Sequence, residues 1–135
     1  MSALTKDRNT VMKEGLYAVY PVKGGVVIYA GGMVCIGTDG YAVPAADTAG
    51  LTFVGVSRGH VHNTNGASGA VMVEVWRKGC FEFSTAGMTL ANVGAAIYAE
   101  DDQTVALSAG STNHVACGTV SEVNSATSVF VDIQL

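Results

Sequence analysis

Apolar residues in this chain recur at every second position, in short runs cut by glycine, asparagine, aspartate and serine, and that pattern calls for extended strands. Val26–Ala30, Met33–Ile36, Leu51–Ser57, Val71–Phe83, Ala96–Ala99, Thr104–Ser108, His114–Val120 and Ser128–Gln134 are alternating or β-branched. Between them lie Ala30-Gly31-Gly32, Thr38-Asp39-Gly40, Asn63-Thr64-Asn65-Gly66 and Glu100-Asp101-Asp102-Gln103, whose residues accept the backbone angles of tight turns. Only Thr89–Val93 reads as a helical turn, and Pro21 and Pro44 are the only prolines. The expectation is an all-β fold, a single-domain β-sandwich or barrel of about eight short strands. The body is placed at 21–135, behind an extended N-terminal arm at 1–20. A chain of 135 residues buries roughly two thirds of its unfolded surface in one core and needs no disulfide or metal to hold it.

A faint internal repeat runs through the strands. Val26-Val27-Ile28-Tyr29-Ala30 echoes Ala95-Ala96-Ile97-Tyr98-Ala99, and each looks like the first strand of a hairpin. Phe53-Val54-Gly55-Val56-Ser57 echoes Ala116-Cys117-Gly118-Thr119-Val120, and Val71-Met72-Val73-Glu74-Val75 echoes Val129-Phe130-Val131-Asp132-Ile133. The separation falls from 69 to 63 to 58 residues, as it does when a second unit keeps the strand order with shorter loops. The surplus of the first unit would then lie in loops such as Gly59–Gly69. Richness in Gly, Ala and Val also produces chance echoes, so strand order has to decide between duplication and coincidence.

Charge narrows the function classes. Only 13% of residues are charged and 49% are hydrophobic, so many small apolar and hydroxyl side chains face outward, which suits a chain that works against partners. The net charge of −4 argues against a nucleic-acid partner, which selects for a basic face. The distribution is uneven: Met1–Tyr20 carries Lys6, Arg8 and Lys13 against Asp7 and Glu14, whereas the remainder has four basic and nine acidic residues. No apolar run is long enough for a membrane span, and MSALTKDRNT lacks a signal peptide's apolar segment, so synthesis in a cytoplasm and no membrane partner are expected. Cys35, Cys80 and Cys117 are too far apart for a metal or redox motif and read as reduced core thiols.

No chemical motif is complete. Gly55-Val56-Ser57-Arg58-Gly59 matches the GxSxG nucleophile elbow, but the helix that should follow is replaced by the loop His60–Gly66. His60 and His62 have the spacing of two ligands on one strand face, yet nothing nearby completes a metal set. Glu100-Asp101-Asp102 lacks a calcium loop's glycine and alternating donors, and reads as a hairpin turn. No enzyme activity, cofactor or metal is therefore expected. Trp76 shares a strand face with Met72 and Glu74, so it fits core and interface equally, whereas Phe81 and Phe83 read as core.

Thr5-Lys6-Asp7-Arg8-Asn9-Thr10, Tyr20-Pro21-Val22, Ile28-Tyr29-Ala30-Gly31, Gly40-Tyr41-Ala42-Val43-Pro44, Phe53-Val54-Gly55-Val56 and the closing hydrophobic strand resemble, in that order, a family of small tailed-phage proteins encoded beside the major capsid protein. These are the capsid cement, decoration or head-stabilising proteins. The resemblance implies a jelly-roll-like β body on the outer surface of a phage capsid, an extended arm, and association into dimers or trimers. It implies the major capsid protein as partner and the virion exterior as location, after synthesis in the bacterial host cytoplasm. It transfers no catalytic residue.

On this reading the binding surface is the arm and its root, with Lys6, Arg8, Asn9, Lys13, Tyr17, Tyr20 and Trp76 as interface candidates. Met1–Glu14 has few large apolar residues and no period, as in a segment that orders on a partner; a frayed terminus with no role has the same composition. Leu16, Tyr17, Val19 and Tyr20 would anchor the arm to the body. The competing class is a host-recognition or carbohydrate-binding module of a virion, since similar β folds serve as lectins. Such a site wants exposed aromatics beside Asp, Asn and Gln, and the sequence has no such cluster.

Overall fold

The alternating runs do form strands, and there are more of them than about eight. A computed structural model describes residues 2–135; Met1 lies outside the described residues. Twelve strands follow in order: β1 (Tyr17–Pro21), β2 (Val27–Ile28), β3 (Met33–Ile36), β4 (Ala42–Pro44), β5 (Thr52–Ser57), β6 (Val61–His62), β7 (Met72–Trp76), β8 (Cys80–Ser84), β9 (Ala96–Ala99), β10 (Val105–Ala106), β11 (Ala116–Ser125) and β12 (Ser128–Asp132). Two 3-10 turns, Leu90–Asn92 and Ser108–Gly110, are the only helical segments among the described residues. The strands make a five-stranded sheet of order β1-β7-β5-β3-β4, a second of order β10-β9-β11-β12-β8, and a two-stranded β2-β6 ribbon; the strands pair antiparallel, and one parallel bridge links the two edges of each large sheet, Val22 to Ala42 and Ser84 to Thr104. The molecule is a β-sandwich.

The boundaries expected from sequence shift in three places. Val71–Phe83 is two strands, because Gly79 adopts φ +129° and turns the chain from one sheet into the other. Val26–Ala30 contributes only β2, which pairs with β6 and not with β3, so it opens no hairpin. Tyr17–Tyr20, placed at the end of the arm, belong to β1, and the free arm stops at Leu16, whose carbonyl accepts a bond from Arg77 N–H (2.8 Å). Pro21 closes β1, a sheet-edge position where its missing N–H costs no ladder bond.

The repeat is real, but its register differs from the one the echoes indicated. Reading β1, β3, β4, β5, β7 as one unit and β8, β9, β10, β11, β12 as the next, the two sheets have the same strand order. Val34 faces Gly55 as Ile97 faces Gly118, and Cys35 faces Val43 as Tyr98 faces Ala106, each pair 63 residues from its counterpart. Gly31 N–H donates to the Ser57 carbonyl (2.9 Å) and Ser57 N–H to the Gly32 carbonyl (2.8 Å). The same pair of bonds joins Gly94 to Val120 (2.8 Å) and Val120 to Ala95 (3.0 Å). After β5 the separation drops to 56, with Trp76 in the place of Asp132. The surplus lies between Arg58 and Val71, as the falling separations implied; β3 and not β2 is the partner of β9.

Because each unit forms its own sheet, consecutive strands do not alternate between sheets as they do in a jelly roll. The units also stack in the same sense. In the first sheet Met33, Cys35, Phe53 and Val56 point to one face and join the main core, while Val34, Val73 and Val75 point to the other, where β2 and β6 cover them with Val22 and Ile28. In the second sheet the counterparts of that other face, Ile97, Val129 and Val131, are the ones that enter the main core. The layers are therefore ribbon, first sheet, second sheet. The second sheet's outer face carries Ala96, Tyr98, Ala116 and Thr119 where the first has Met33, Cys35, Phe53 and Val56. Asp47 ties the halves at one end, accepting from the N–H groups of Thr112 (3.0 Å) and Asn113 (2.8 Å). Those bonds, led by the one from Thr112, hold its carboxyl below the ordinary range.

Candidate interaction surface

The second sheet covers only the β3-β4-β5 part of the first sheet's inward face, and the β1-β7 part is left open. Tyr17 and Val19 on β1, and Met72, Glu74 and Trp76 on β7, fall on that open part because side chains alternate along a strand. Tyr17 stands opposite Trp76 in the pairing, with ring centroids 4.8 Å apart and planes inclined at 55°. Arg58, the first residue beyond β5, lays its guanidinium over both rings, 4.0 Å from the Tyr17 centroid and 4.8 Å from that of Trp76, and pairs with Glu74. A cation held between two ring faces and a carboxylate orders an exposed cluster that would otherwise be loose. Val19 and Met72 flank it, both more than half exposed.

From this cluster the chain runs back into the arm. Residues 2–14 are exposed without exception, including Leu4 at 73%, Val11 at 90% and Met12 at 85%. Within residues 2–14 the one backbone hydrogen bond outside regular structure is internal, Thr10 N–H to the Arg8 carbonyl (3.1 Å), and none of Lys6, Arg8 and Lys13 forms an ion pair among the described residues. Asn9 is exposed beside them.

The structure thus brings together Tyr17 and Trp76 of the expected residues and places Lys6, Arg8, Asn9 and Lys13 on the arm that leads from them. Tyr20 is not part of the surface: it lies on the opposite sheet face, against the apolar cluster of Val73 and Val75. Trp76 is both alternatives at once, half-buried with one side against the main core and the other in the cluster. Phe83 is core and Phe81 is partly buried against it. Sequence reading missed Arg58 as a site residue, because its neighbours β1 and β7 are known only once the strand order is known. Met72 and Glu74 were visible as Trp76's face companions.

The motif residues do structural work. Ser57 is buried, and its Oγ donates to the Gly59 carbonyl (2.7 Å). His60 and His62 are exposed, with rings 6.2 Å apart, and no group of metal-binding side chains occurs among the described residues. Asp101 closes its turn by accepting from the N–H groups of Gln103 (2.9 Å) and Thr104 (2.7 Å). The cysteines need a correction: Cys35 and Cys117 are core thiols, whereas Cys80 is exposed, because alternation on edge strand β8 turns it outward while Phe81 turns in. Burial pushes both core thiols up to about 12. A thiol reagent at pH 8 should therefore label one cysteine in the native protein and three after denaturation, with the early label on Cys80; rapid labelling of Cys35 or Cys117 in the native state would contradict this burial.

No family model, curated protein or solved structure matches the chain.

Proposed function

We propose that this is a non-enzymatic structural protein of a phage virion, which binds the outer surface of the capsid and stabilises it by bridging major capsid protein subunits. The observation that carries the reading is the arm: a fully exposed, cation-bearing segment, continuous through β1 with an open aromatic cluster. Such a segment gains order and contact area on a partner. A capsid under internal pressure fails where subunits part, and a molecule that touches two of them must be released first, so modest contacts add up through avidity. Among the described residues no helix is long and apolar enough to cross a membrane, and the acidic body offers no phosphate-binding face.

The arm and the cluster divide the work. Exposed ion pairs from Lys6, Arg8 or Lys13 contribute only about 0–1 kcal/mol each, so single charge reversals change little. Loss of the whole strap is different. A chain lacking residues 1–13 keeps β1 and its pairing with β7 and is expected to melt within about 2 °C of the full chain, while binding empty capsid shells at least ~10-fold more weakly, a loss of about 1.4 kcal/mol. Shell sedimentation together with a thermal melt of both forms tests this, and unchanged shell affinity would remove the arm from the interface. A carbohydrate-binding reading is disfavoured by Arg58, which covers a face of each ring in the cluster where a sugar would stack. A glycan array run beside the shell assay separates the two readings.

A further inference from the structure

We propose that the outer face of the second sheet is the seat for the N-terminal arm of another copy of this chain. The inference deepens the reading of the arm as a strap by naming one surface it grips.

Register and alternation place the acidic side chains of β8, β12 and β11 together on this face. Glu82 stands opposite Phe130, which stands opposite Glu122, and Asp132 stands opposite both Cys80 and Thr119. The residues between them in sequence, Phe81, Phe83, Val129, Val131 and Val120, turn inward to the core, so these turn out. No strand of the second sheet contains a lysine or an arginine. Among the described residues Glu82 accepts one side-chain bond, from Asn124 Nδ2 (3.2 Å), and neither Glu122 nor Asp132 forms an ion pair. The face is thus negative, with Asp132 Oδ1 accepting from Gln134 N–H (3.3 Å) and Lys78, just before β8, the basic residue at its border.

The arm is its complement. Lys6, Arg8 and Lys13 equal in number the three carboxylates of the face, and with Asp7 and Glu14 counted the arm is net +1; none of the three cations forms an ion pair among the described residues. The exposed Val11 and Met12 between them match Phe130, the half-buried apolar residue between the two glutamates. The arm leaves from β1, on the edge of the other sheet, and among the described residues makes no ion pair with its own body. A neighbouring molecule is therefore the occupant that the charges fit. Because one copy gives an arm and the next gives a face, the contact is head-to-tail and closes when copies form a ring.

Cys80 lies on this face, which makes the test direct. In full-length protein carrying Asn9→Cys, mild oxidation is expected to give interchain disulfides between the introduced thiol and Cys80, identified by peptide mass and abolished by Cys80→Ser; the buried Cys35 and Cys117 do not compete. In protein without the added cysteine, the Glu82→Lys/Glu122→Lys pair is expected to weaken self-association at least tenfold in sedimentation, with recovery when Lys6→Glu/Arg8→Glu is added. Disulfides only between two introduced thiols, or only within one chain, would overturn the proposal. So would self-association unchanged by the face reversal in a variant whose melt is normal. If arm deletion weakens shell binding while both of these tests fail, the arm grips the shell directly and the capsid reading stands without this contact.

Discussion

Gly55→Ala and Gly118→Ala will each destabilise the fold by at least about 3 kcal/mol, enough to lower the melting temperature by roughly 10 °C. Both glycines sit at φ +147°, at the bulge where β5 or β11 departs from strict pairing with its neighbour. A side chain at Gly55 would overlap the Trp76 carbonyl oxygen, and one at Gly118 would overlap that of Asp132. Neither obstacle is a flexible side chain, so relief requires moving β7 or β12 away from the central strand of its sheet. Gly31→Ala and Gly94→Ala are the controls. They have φ +82° and +88° with open space around the missing side chain, so only the left-handed backbone matters and about 1 kcal/mol is expected. Denaturant unfolding of the four variants checks the contrast, and equal costs in all four would mean that the collisions are relieved by small local shifts.

Asn63→Ala is expected to cost about 2–3 kcal/mol, through loss of hydrogen bonds that no neighbouring group replaces. Asn63 is buried, and its Nδ2 donates toward three carbonyls, those of Ala67 (2.8 Å), Val22 (3.2 Å) and Lys23 (3.4 Å). Its backbone joins the same network, donating to Val26 (2.8 Å) and accepting from Gly25 (2.7 Å). The residue thereby pins the loop after β6 onto residues 22–26, the segment that leads into β2 of the ribbon covering the first sheet. Asn63→Asp is the sharper test. A carboxylate there faces carbonyl oxygens in a buried site, which raises its folded-state pKa above the unfolded value near 3.9. The protonated form then folds better than the charged one, so the variant is most stable at low pH and loses stability as pH rises through the raised pKa. Melting curves between pH 4 and 8 should show this slope relative to the parent, and a flat difference would indicate that the loop opens and exposes the side chain.

How far the sequence foretold these features depends on the range of the interaction involved. Period-two alternation is local, so the all-β class and most strand centres were readable. The extension of β11 through Ser121–Ser125 was not, because those residues are polar except Val123 and are held as a strand by β12 alongside. The duplication was visible in the Gly55 and Gly118 segments, where the bulge requires glycine in both copies. It was misaligned at β2, because Val26–Ala30 resembles β9 in composition while Met33–Ile36 occupies its place. In the candidate surface, Tyr17 and Trp76 stood out as aromatics beside an arm. Tyr20 was misassigned because the arm was read to residue 20, whereas β1 starts at Tyr17 and alternation sends Tyr20 to the covered side. Arg58 and Cys80 depend on pairing partners far away in the chain.

The same-sense stacking of the two units carries a hazard that the outer sheet disarms. One unit presents a face that another unit covers, and the covering unit owns an equivalent face of its own, so the arrangement could in principle repeat without end. Had the second unit kept large apolar groups at Ala96, Ala116 and Thr119, each molecule would offer the next a fresh sticky surface, which is the geometry of fibre growth. Small and hydroxyl side chains there withhold the contact area that an added sheet would need, and the β2-β6 ribbon seals the opposite end. The fold is a two-step series with terminators at both ends, and it is self-limiting in the direction of its own stack.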